Sequence, residues 1–318
     1  MVAKLFDLDG KRVWVAGHRG MVGSAIVRRL KSRSVTILSV EHRDLDLRQP
    51  DAVAAWMAQN RPQVVILAAA KVGGILANAT FPAPFLYDNL AIEMNVIHSA
   101  HKMGVEKLLF LGSTCIYPRL AQQPIREEAL LTGALEPTNE WYAIAKIAGL
   151  KLAEAYRREH GCDFISAMPN NLYGPNDNFD LKMSHVLPAL MRKIHEAKLH
   201  NRSTVEIWGT GTPKREFLHV DDLADACLFL VEHYSDALHI NVGTGVDLTI
   251  RELATEIAGV VGYNGTFEFD RSKPDGTPRK CADISRLRNL GWSPTIDLSS
   301  GLQETYHWFL EHVASGVS

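Results

Sequence analysis

Cysteine is scarce: Cys115, Cys162, Cys227 and Cys281 stand far apart in a chain of 318 residues. No two form a C-x-x-C pair and their density is far below that of a stapled secreted domain. A disulfide framework and a cysteine-based metal site are therefore excluded, and four reduced thiols with no metal are expected. An excess of charge of one sign is lacking as well. With 34 basic and 36 acidic residues the formal charge is −2, too balanced for an extended surface for nucleic acid or anionic membrane. No apolar run reaches membrane-spanning length. The opening Met1-Val2-Ala3-Lys4-Leu5-Phe6-Asp7-Leu8-Asp9 places acids where a signal peptide needs an uninterrupted apolar core, so a soluble, cytoplasmic protein is expected. Repeats and low-complexity linkers are also missing, and the length predicts one large domain or two unequal ones.

What the chain does have is alternation. A β-rich run at Arg12–Ala16 is followed by a glycine turn and a helical stretch to about Lys31. Apolar runs at Val35–Val40, Val64–Ala69, Lys107–Gly112 and Phe164–Met168 then alternate with helical patterns at Asp51–Asn60, Pro82–Met103 and Trp141–His160. This rhythm predicts a parallel sheet covered by helices on both faces. It loosens after Asn171. A helix at Ser184–Leu199, a strand at Val205–Trp208 and an amphipathic helix at Leu298–Val313 suggest a smaller second region. Phe217–Val220, the helix Asp221–His233 and Ile240–Gly243 read as one more strand–helix–strand return to the sheet. The expected lobes are thus interleaved: 1–175 with about 215–245, against about 176–214 with 246–318.

Gly17-His18-Arg19-Gly20-Met21-Val22-Gly23 lies between the first strand and the first helix. Glycines at this spacing permit a sharp turn, close approach of backbone to a pyrophosphate, and tight packing of helix on sheet, while the helix amides face the phosphates. A dinucleotide site follows. Glu41 sits where an acid accepts hydrogen bonds from the adenosine ribose of NAD. Arg19 and Arg43 reach for the same edge, and two guanidinium groups favour the additional 2′-phosphate, so NADP(H) is the expected cofactor.

Tyr142 and Lys146 are four residues apart, which places a phenol and an ammonium on one helical face. A phenol titrates at about 10, and a nearby cation favours its ionised form. Ser113 follows the run Lys107–Gly112 and so stands at the carboxyl end of a sheet strand, where ligands bind in open α/β sheets. Its hydroxyl there can donate to a carbonyl oxygen that gains negative charge. Glycine turn, strand-end serine and Tyr-x-x-x-Lys, in that order, resemble the extended branch of the short-chain dehydrogenase/reductase superfamily. The resemblance implies a Rossmann-type doubly wound parallel sheet with a smaller, interleaved C-terminal α/β substrate domain. It also implies that Tyr142 passes a proton to the carbonyl oxygen, that Lys146 lowers the pKa of Tyr142 and holds the nicotinamide ribose, and that Ser113 polarises the carbonyl. Asn171 falls where that branch contacts nicotinamide.

Longer strings carry a narrower resemblance. GHRGMVG at 17–23, AAAKVGG at 68–74, GSTCIYP at 112–118, EPTNEWYAIAK at 136–146, NLYGP at 171–175, REFLHVDD at 215–222 and KPDGTPRK at 273–280 resemble the GDP-L-fucose synthase family across almost the whole chain. That family converts GDP-4-keto-6-deoxy-D-mannose to GDP-L-fucose by epimerising C3 and C5 and then reducing the C4 ketone with NADPH. By this resemblance Cys115 is the base and His185 the acid of the epimerisation. Cofactor contacts fall on Gly17 to Gly23, Arg43, Leu111, Gly112, Ser113, Lys146, Pro169, Asn170, Asn171, Leu172 and His185. Sugar-nucleotide contacts fall on Lys193, Trp208, Arg215, Asp275 and Lys280, with Arg215 and Lys280 suited to the diphosphate and Trp208 to a stacking wall. Asp275, in a Pro-Asp-Gly turn, is either a turn former or an acceptor for ribose or guanine. Thr114, Asn170 and Lys193 depart from the family pattern, where serine, threonine and arginine are frequent. A homodimer through the two long helices is expected on the same ground. Two alternatives stand beside this reading: a related epimerase-reductase such as GDP-L-colitose synthase, and a non-catalytic NADP-binding scaffold, against which the intact set Ser113, Cys115, Tyr142, Lys146 and His185 counts.

Overall fold

The computed structural model describes residues 3–273 and 275–314; Met1 and Val2 of the opening run and Pro274 of the KPDGTPRK string lie outside them. The first half runs β1 (Arg12–Ala16), α1 (Met21–Leu30), β2 (Thr36–Leu38), α2 (Pro50–Asn60), β3 (Val64–Leu67), α3 (Ile75–Thr80), α4 (Pro82–Lys102), β4 (Lys107–Leu111), α5 (Glu140–His160) and β5 (Phe164–Pro169). The second half adds β6 (Asn171–Tyr173), α6 (Val186–Leu199), β7 (Thr204–Trp208), β8 (Lys214–His219), α7 (Val220–His233), β9 (Ile240–Val242), β10 (Asp247–Thr249), α8 (Ile250–Val261), β11 (Thr266–Asp270), β12 (Arg279–Lys280), α9 (Ser285–Asn289) and α10 (Leu298–His312).

Six strands form a parallel sheet in the order β2-β1-β3-β4-β5-β9. Successive side chains of a strand point to opposite faces, so each strand feeds two cores. Val13, Val15, Val64, Ile66, Leu109, Leu111, Ile165 and Ala167 pack on one face with residues of α1 and α7. Trp14, Ala16, Val65, Leu67, Leu108, Phe110, Phe164 and Met168 pack on the other with α2, α4 and α5. A third core gathers residues of α6, β7, α8 and α10. The strand order reverses between β1 and β3, and their carboxyl ends flank the crevice in which open α/β sheets take their ligands.

One expected connection is different. Of the strand expected at Phe217–Val220, the first three residues end β8 and Val220 opens α7; β8 pairs with β6, β10 and β12 in a separate four-stranded sheet, and only α7 and β9 return to the six-stranded one. The cause is in the sequence of β8. It begins Lys214-Arg215-Glu216, and a strand covered by helices on both faces has no partners for three consecutive charges. In the smaller sheet Lys214 is exposed, Arg215 is half-buried and Glu216 collects amide donors from neighbouring loops. Among the described residues no helix is long and apolar enough to cross a membrane.

Candidate active site

The glycine turn meets the requirements of a phosphate cradle. Gly17 has φ +90°, and a Cβ there would stand 2.7 Å from the backbone of Ala69 after β3. At Gly23 a Cβ would lie 2.0 Å from the Gly17 carbonyl oxygen, so only glycine lets α1 sit this close to the turn. Gly20 differs: a Cβ would meet only the Gly17 oxygen, at 3.6 Å, with open space beyond. Gly20 caps α1 without any side-chain hydrogen bond. The first amides of α1 are thus left for an anion, and Met21 and Val22 anchor this first turn in the core beneath. Beside the turn, Glu41 is held by Arg19 at 2.7 Å and His18 at 3.5 Å. Arg43 is 83% exposed, with Asp44 at 3.8 Å. The acid that would read a ribose diol is already paired with Arg19, and Arg43 remains as an exposed guanidinium beside it.

The reaction centre forms at the carboxyl end of β4. At Gly112 a Cβ would stand 2.3 Å from the Met168 sulfur, so a side chain there would have to displace the end of that methionine. After it the chain enters a short 3-10 turn at Thr114–Ile116, capped by Ser113, whose Oγ accepts from the Cys115 amide at 3.2 Å. The hydrogen of that hydroxyl is shared between the Cys115 sulfur, which it stabilises, and any substrate oxygen that enters the cleft. Cys115 Sγ accepts from Lys280 Nζ at 3.2 Å and from Asn139 Nδ2 at 3.5 Å. Burial works to raise the Cys115 thiol, but Lys280, Ser113 and Arg215 together bring it below the ordinary cysteine value.

Tyr142 stands in the first turn of α5, walled by protein but open to the cleft. Its phenol is raised well above the ordinary tyrosine value, by burial first and then by the negative charges of Cys115 and Glu93. The expected lowering by Lys146 is therefore reversed in this form of the protein. The reason lies in the partners of Lys146. This lysine is 2% exposed; its Nζ lies 3.0 Å from Glu93 Oε1, donates to the Leu111 carbonyl at 2.9 Å, and sits 5.7 Å from the centre of the Tyr142 ring. Much of its charge is compensated by Glu93 before it reaches the phenol.

His185 caps α6 in an extended conformation and opens into the cleft. Its pKa is lowered by the crowding of the cleft and then by the nearby Lys280 charge. Gly74 brings the other wall up to it, since the Gly74 amide donates to the Met183 carbonyl at 2.9 Å. Cys115, Tyr142, His185, Lys280 and Arg215 thus converge. Pro169 ends β5, and Asn171 and Leu172 open β6, so the 169–172 segment is where the chain crosses from one sheet to the other. Asn170 accepts from Thr114 Oγ1 at 3.0 Å and donates to Glu216, and Asn171 Nδ2 donates to the Glu216 carbonyl at 2.8 Å. The Asn170 side chain is bonded to protein at both ends, and that of Asn171 through its amide nitrogen.

A second group forms the rim. Trp208 ends β7 at 43% exposure, with Lys193 Nζ 5.1 Å and Lys273 Nζ 5.7 Å from its ring centre. Asp275 is a fastener: Oδ1 accepts from the Thr210 amide at 2.7 Å and Oδ2 from its hydroxyl at 2.9 Å, which holds the turn after Trp208. Arg215 Nη2 reaches the Asp275 carbonyl at 3.4 Å. Sequence reasoning passed over Glu93, Asn139 and Glu216. Glu93 left one signal, a charge one helical turn beyond Asn89 on the face of α4 that also buries Val96 and Ile97.

Comparison with known proteins agrees with this geometry. The family described as NAD dependent epimerase/dehydratase matches residues 13–243. A GDP-L-fucose synthase of Sinorhizobium fredii is 57% identical over 310 residues, covering 98% of this chain and 99% of the relative. A GDP-L-colitose synthase of Yersinia pseudotuberculosis is 40% identical over 301 residues, covering 94% and 98%. A solved GDP-L-fucose synthetase from Naegleria fowleri bound to NADP has a TM-score of 0.90 and 28% identity, covering 98% of each chain. With its glycine turn at the sheet crossover, its Ser113, Tyr142 and Lys146 at the carboxyl end of β4, and matches of this extent, the chain belongs to the NAD dependent epimerase/dehydratase family, in the branch that holds the GDP-L-fucose synthases.

Proposed function

We propose that this chain carries out the GDP-L-fucose synthase reaction: epimerisation of GDP-4-keto-6-deoxy-D-mannose at C3 and C5, then reduction of the C4 ketone with NADPH. The observation that carries it is the convergence of Cys115 and His185 on the site of Ser113 and Tyr142, since a simple ketone reductase needs no further proton-transfer pair. The identity of 57% to a GDP-L-fucose synthase, against 40% to a GDP-L-colitose synthase, favours the substrate with a C3 hydroxyl.

The protons at C3 and C5 lie α to the C4 carbonyl. Donors that stabilise negative charge on that oxygen therefore serve both the enolate of epimerisation and the alkoxide of reduction. Ser113 and Tyr142 are those donors, and the raised pKa of Tyr142 keeps its proton in place for donation. Cys115 removes a proton from one face. His185 returns one to the other, for which it must first be protonated against the burial and the Lys280 charge that lower it. The turn from Gly17 to Gly23, with Arg19 and Arg43, holds the adenosine end of NADP(H). Leu111, Gly112, Lys146, the 169–172 segment and His185 line its nicotinamide end. When bound, NADPH supplies the hydride to C4. Arg215, Lys280 and Lys193 face the GDP phosphates and Trp208 stacks on the nucleotide, with Asp275 holding the loop that presents it. The cofactor lobe comprises about 1–170 with 220–243, since β6 and β8 lie in the smaller sheet, a cytoplasmic setting fits, and a homodimer forms through α4 and α5. Tyr87, Met94, Trp141 and Ile144 are exposed on these helices, and sedimentation at micromolar concentration checks the assembly.

The test supplies GDP-4-keto-6-deoxymannose and NADPH in D2O and reads the product by NMR. Deuterium at both C3 and C5 in an L-galacto product is expected, and Tyr142→Phe nearly abolishes the reduction. A reduced product without deuterium at either carbon would overturn the epimerase assignment.

A further inference from the structure

The Lys280–Cys115 contact joins residues 165 apart in sequence, and a ring of bonds closes around it. Thr114, immediately before Cys115, donates to Asn170 Oδ1 at 3.0 Å. Asn170 Nδ2 donates in turn to Glu216 Oε2. The same oxygen accepts from the Ala282 amide at 2.8 Å, and Ala282 is two residues beyond Lys280. The circuit Cys115, Thr114, Asn170, Glu216, Ala282, Lys280 therefore ends on the sulfur where it began. Glu216 is fully buried, and its other oxygen accepts from the amides of Thr244 at 2.5 Å and Gly245 at 2.7 Å. Among the described residues it has no cationic partner. A buried carboxylate held by amides, an asparagine and the Thr244 hydroxyl, with no cation, is a costly arrangement, and burial raises its pKa accordingly. What it obtains is geometric: one side chain fixes the 170 turn, the 244 loop and the strand that carries Lys280.

We propose that Lys280 is the fixed counter-cation that holds Cys115 as a thiolate, and that Glu216 is the positioning residue that sets the two in register. The inference deepens the proposed function and rests on its assignment of Cys115 as the base. During proton removal the C–H electron pair passes into the enolate and the proton passes to sulfur. Cys115 becomes a thiol, Lys280 keeps its proton throughout, and the negative charge moves from sulfur to the C4 oxygen. A cation near the sulfur favours the thiolate over the thiol. Burial alone would do the opposite, and the thiol does stand below its ordinary value.

The experiment follows alkylation of Cys115 by iodoacetamide against pH in the full chain, read by mass spectrometry of the Cys115 peptide so that the other three thiols do not contribute. No substrate is present. Lys280→Met is expected to raise the titration midpoint by about one pH unit or more, and Lys280→Arg to restore most of it. Glu216→Gln, which sets an amide against donors, is expected to move the midpoint in the same direction by less, and to lower kcat for deuterium exchange more than it raises KM. Should Glu216→Gln not fold, Asn170→Ala removes another link of the ring and gives the same readout. A wild-type midpoint in folded Lys280→Met overturns the counter-cation role. A wild-type midpoint and exchange rate in folded Glu216→Gln, or in Asn170→Ala, overturns the positioning role. The base assignment is separable. If Lys280→Met shifts the midpoint while Cys115→Ala still exchanges deuterium at the normal rate, the pair is real and Cys115 is not the base.

Discussion

Glu93 and Lys146 form an ion pair whose side chains are 1% and 3% exposed. Two desolvated charges repay their cost only while both are present, and removing one partner of such a pair costs on the order of 3 kcal/mol. Glu93 is packed tightly, since a Cβ on Gly149 would already lie 2.5 Å from its Oε2. Glu93→Gln keeps that shape and removes the charge, so two effects are expected. Stability falls by about 3 kcal/mol in urea unfolding, because Lys146 is left charged and under-compensated. The Tyr142 phenol also comes down, because Glu93 is one of the charges that raise it, and the pH dependence of C4 reduction moves toward lower pH. A variant with wild-type stability and an unchanged pH profile would show that the pair contributes neither. The charge of Lys146 is thus divided between an acid beneath it and the site above it, a division that a four-residue spacing in sequence does not reveal.

At the scale of elements, the turn between β1 and α1 separates two kinds of glycine. Gly23→Ala drives a methyl into the Gly17 carbonyl, whereas Gly20→Ala places one in open space at an ordinary φ of −68°. Gly23→Ala is therefore expected to weaken both folding and NADPH binding. Gly20→Ala should leave the unfolding midpoint unchanged and weaken NADPH binding about tenfold, roughly 1.4 kcal/mol, because its methyl occupies the space a pyrophosphate would approach. Calorimetric titration decides, and unchanged affinity in Gly20→Ala would remove the phosphate from this turn. Much of this was legible in advance. β1, β3, β4 and β5 are buried on both faces and read as nearly continuous apolar runs, and α4 and α5 are long enough for their period to show. The pairs β10 with β8 and β12 with β8 were not legible: these strands of three and two residues are partly exposed and take their register from a neighbour. α8 announced itself through the capping box of Thr249 and Glu252 and through Gly262 at its end, a signal outweighed by the loosened rhythm around it. Cys115 and Lys280 were each found by resemblance. That they touch depends on β12 lying beside β8, and no local pattern encodes that.

At the scale of the whole molecule, two of the buried titrations have opposite sign and overlap in pH. His239, just before the edge strand β9, is 3% exposed and bonds Tyr117 OH at 3.0 Å; burial first, then Lys151 and Arg286, lowers it from 6.5 to about 4. The folded state resists protonation there. Stability from this group is complete above about pH 6.5 and is lost as pH falls toward 4, by at most about 3 kcal/mol. Asp177, in the loop after β6, has an Oδ2 with no partner, and burial raises it from 3.8 to about 7. Here the folded state holds its proton more tightly. Its contribution is complete below 3.8 and is lost as pH rises through 7, so it opposes His239 across the same window. The two slopes mask one another in the wild type, and single variants separate them. His239→Gln keeps a partner for Tyr117, and its stability relative to wild type should fall as pH rises from 4 to 6.5. Asp177→Asn removes the other titration, and its stability relative to wild type should climb from pH 4 to 7. Urea unfolding of the three proteins at four pH values measures both differences. Parallel curves for all three would mean that neither group titrates across its folding transition, and that the acid limit of this fold is set by its surface carboxylates instead.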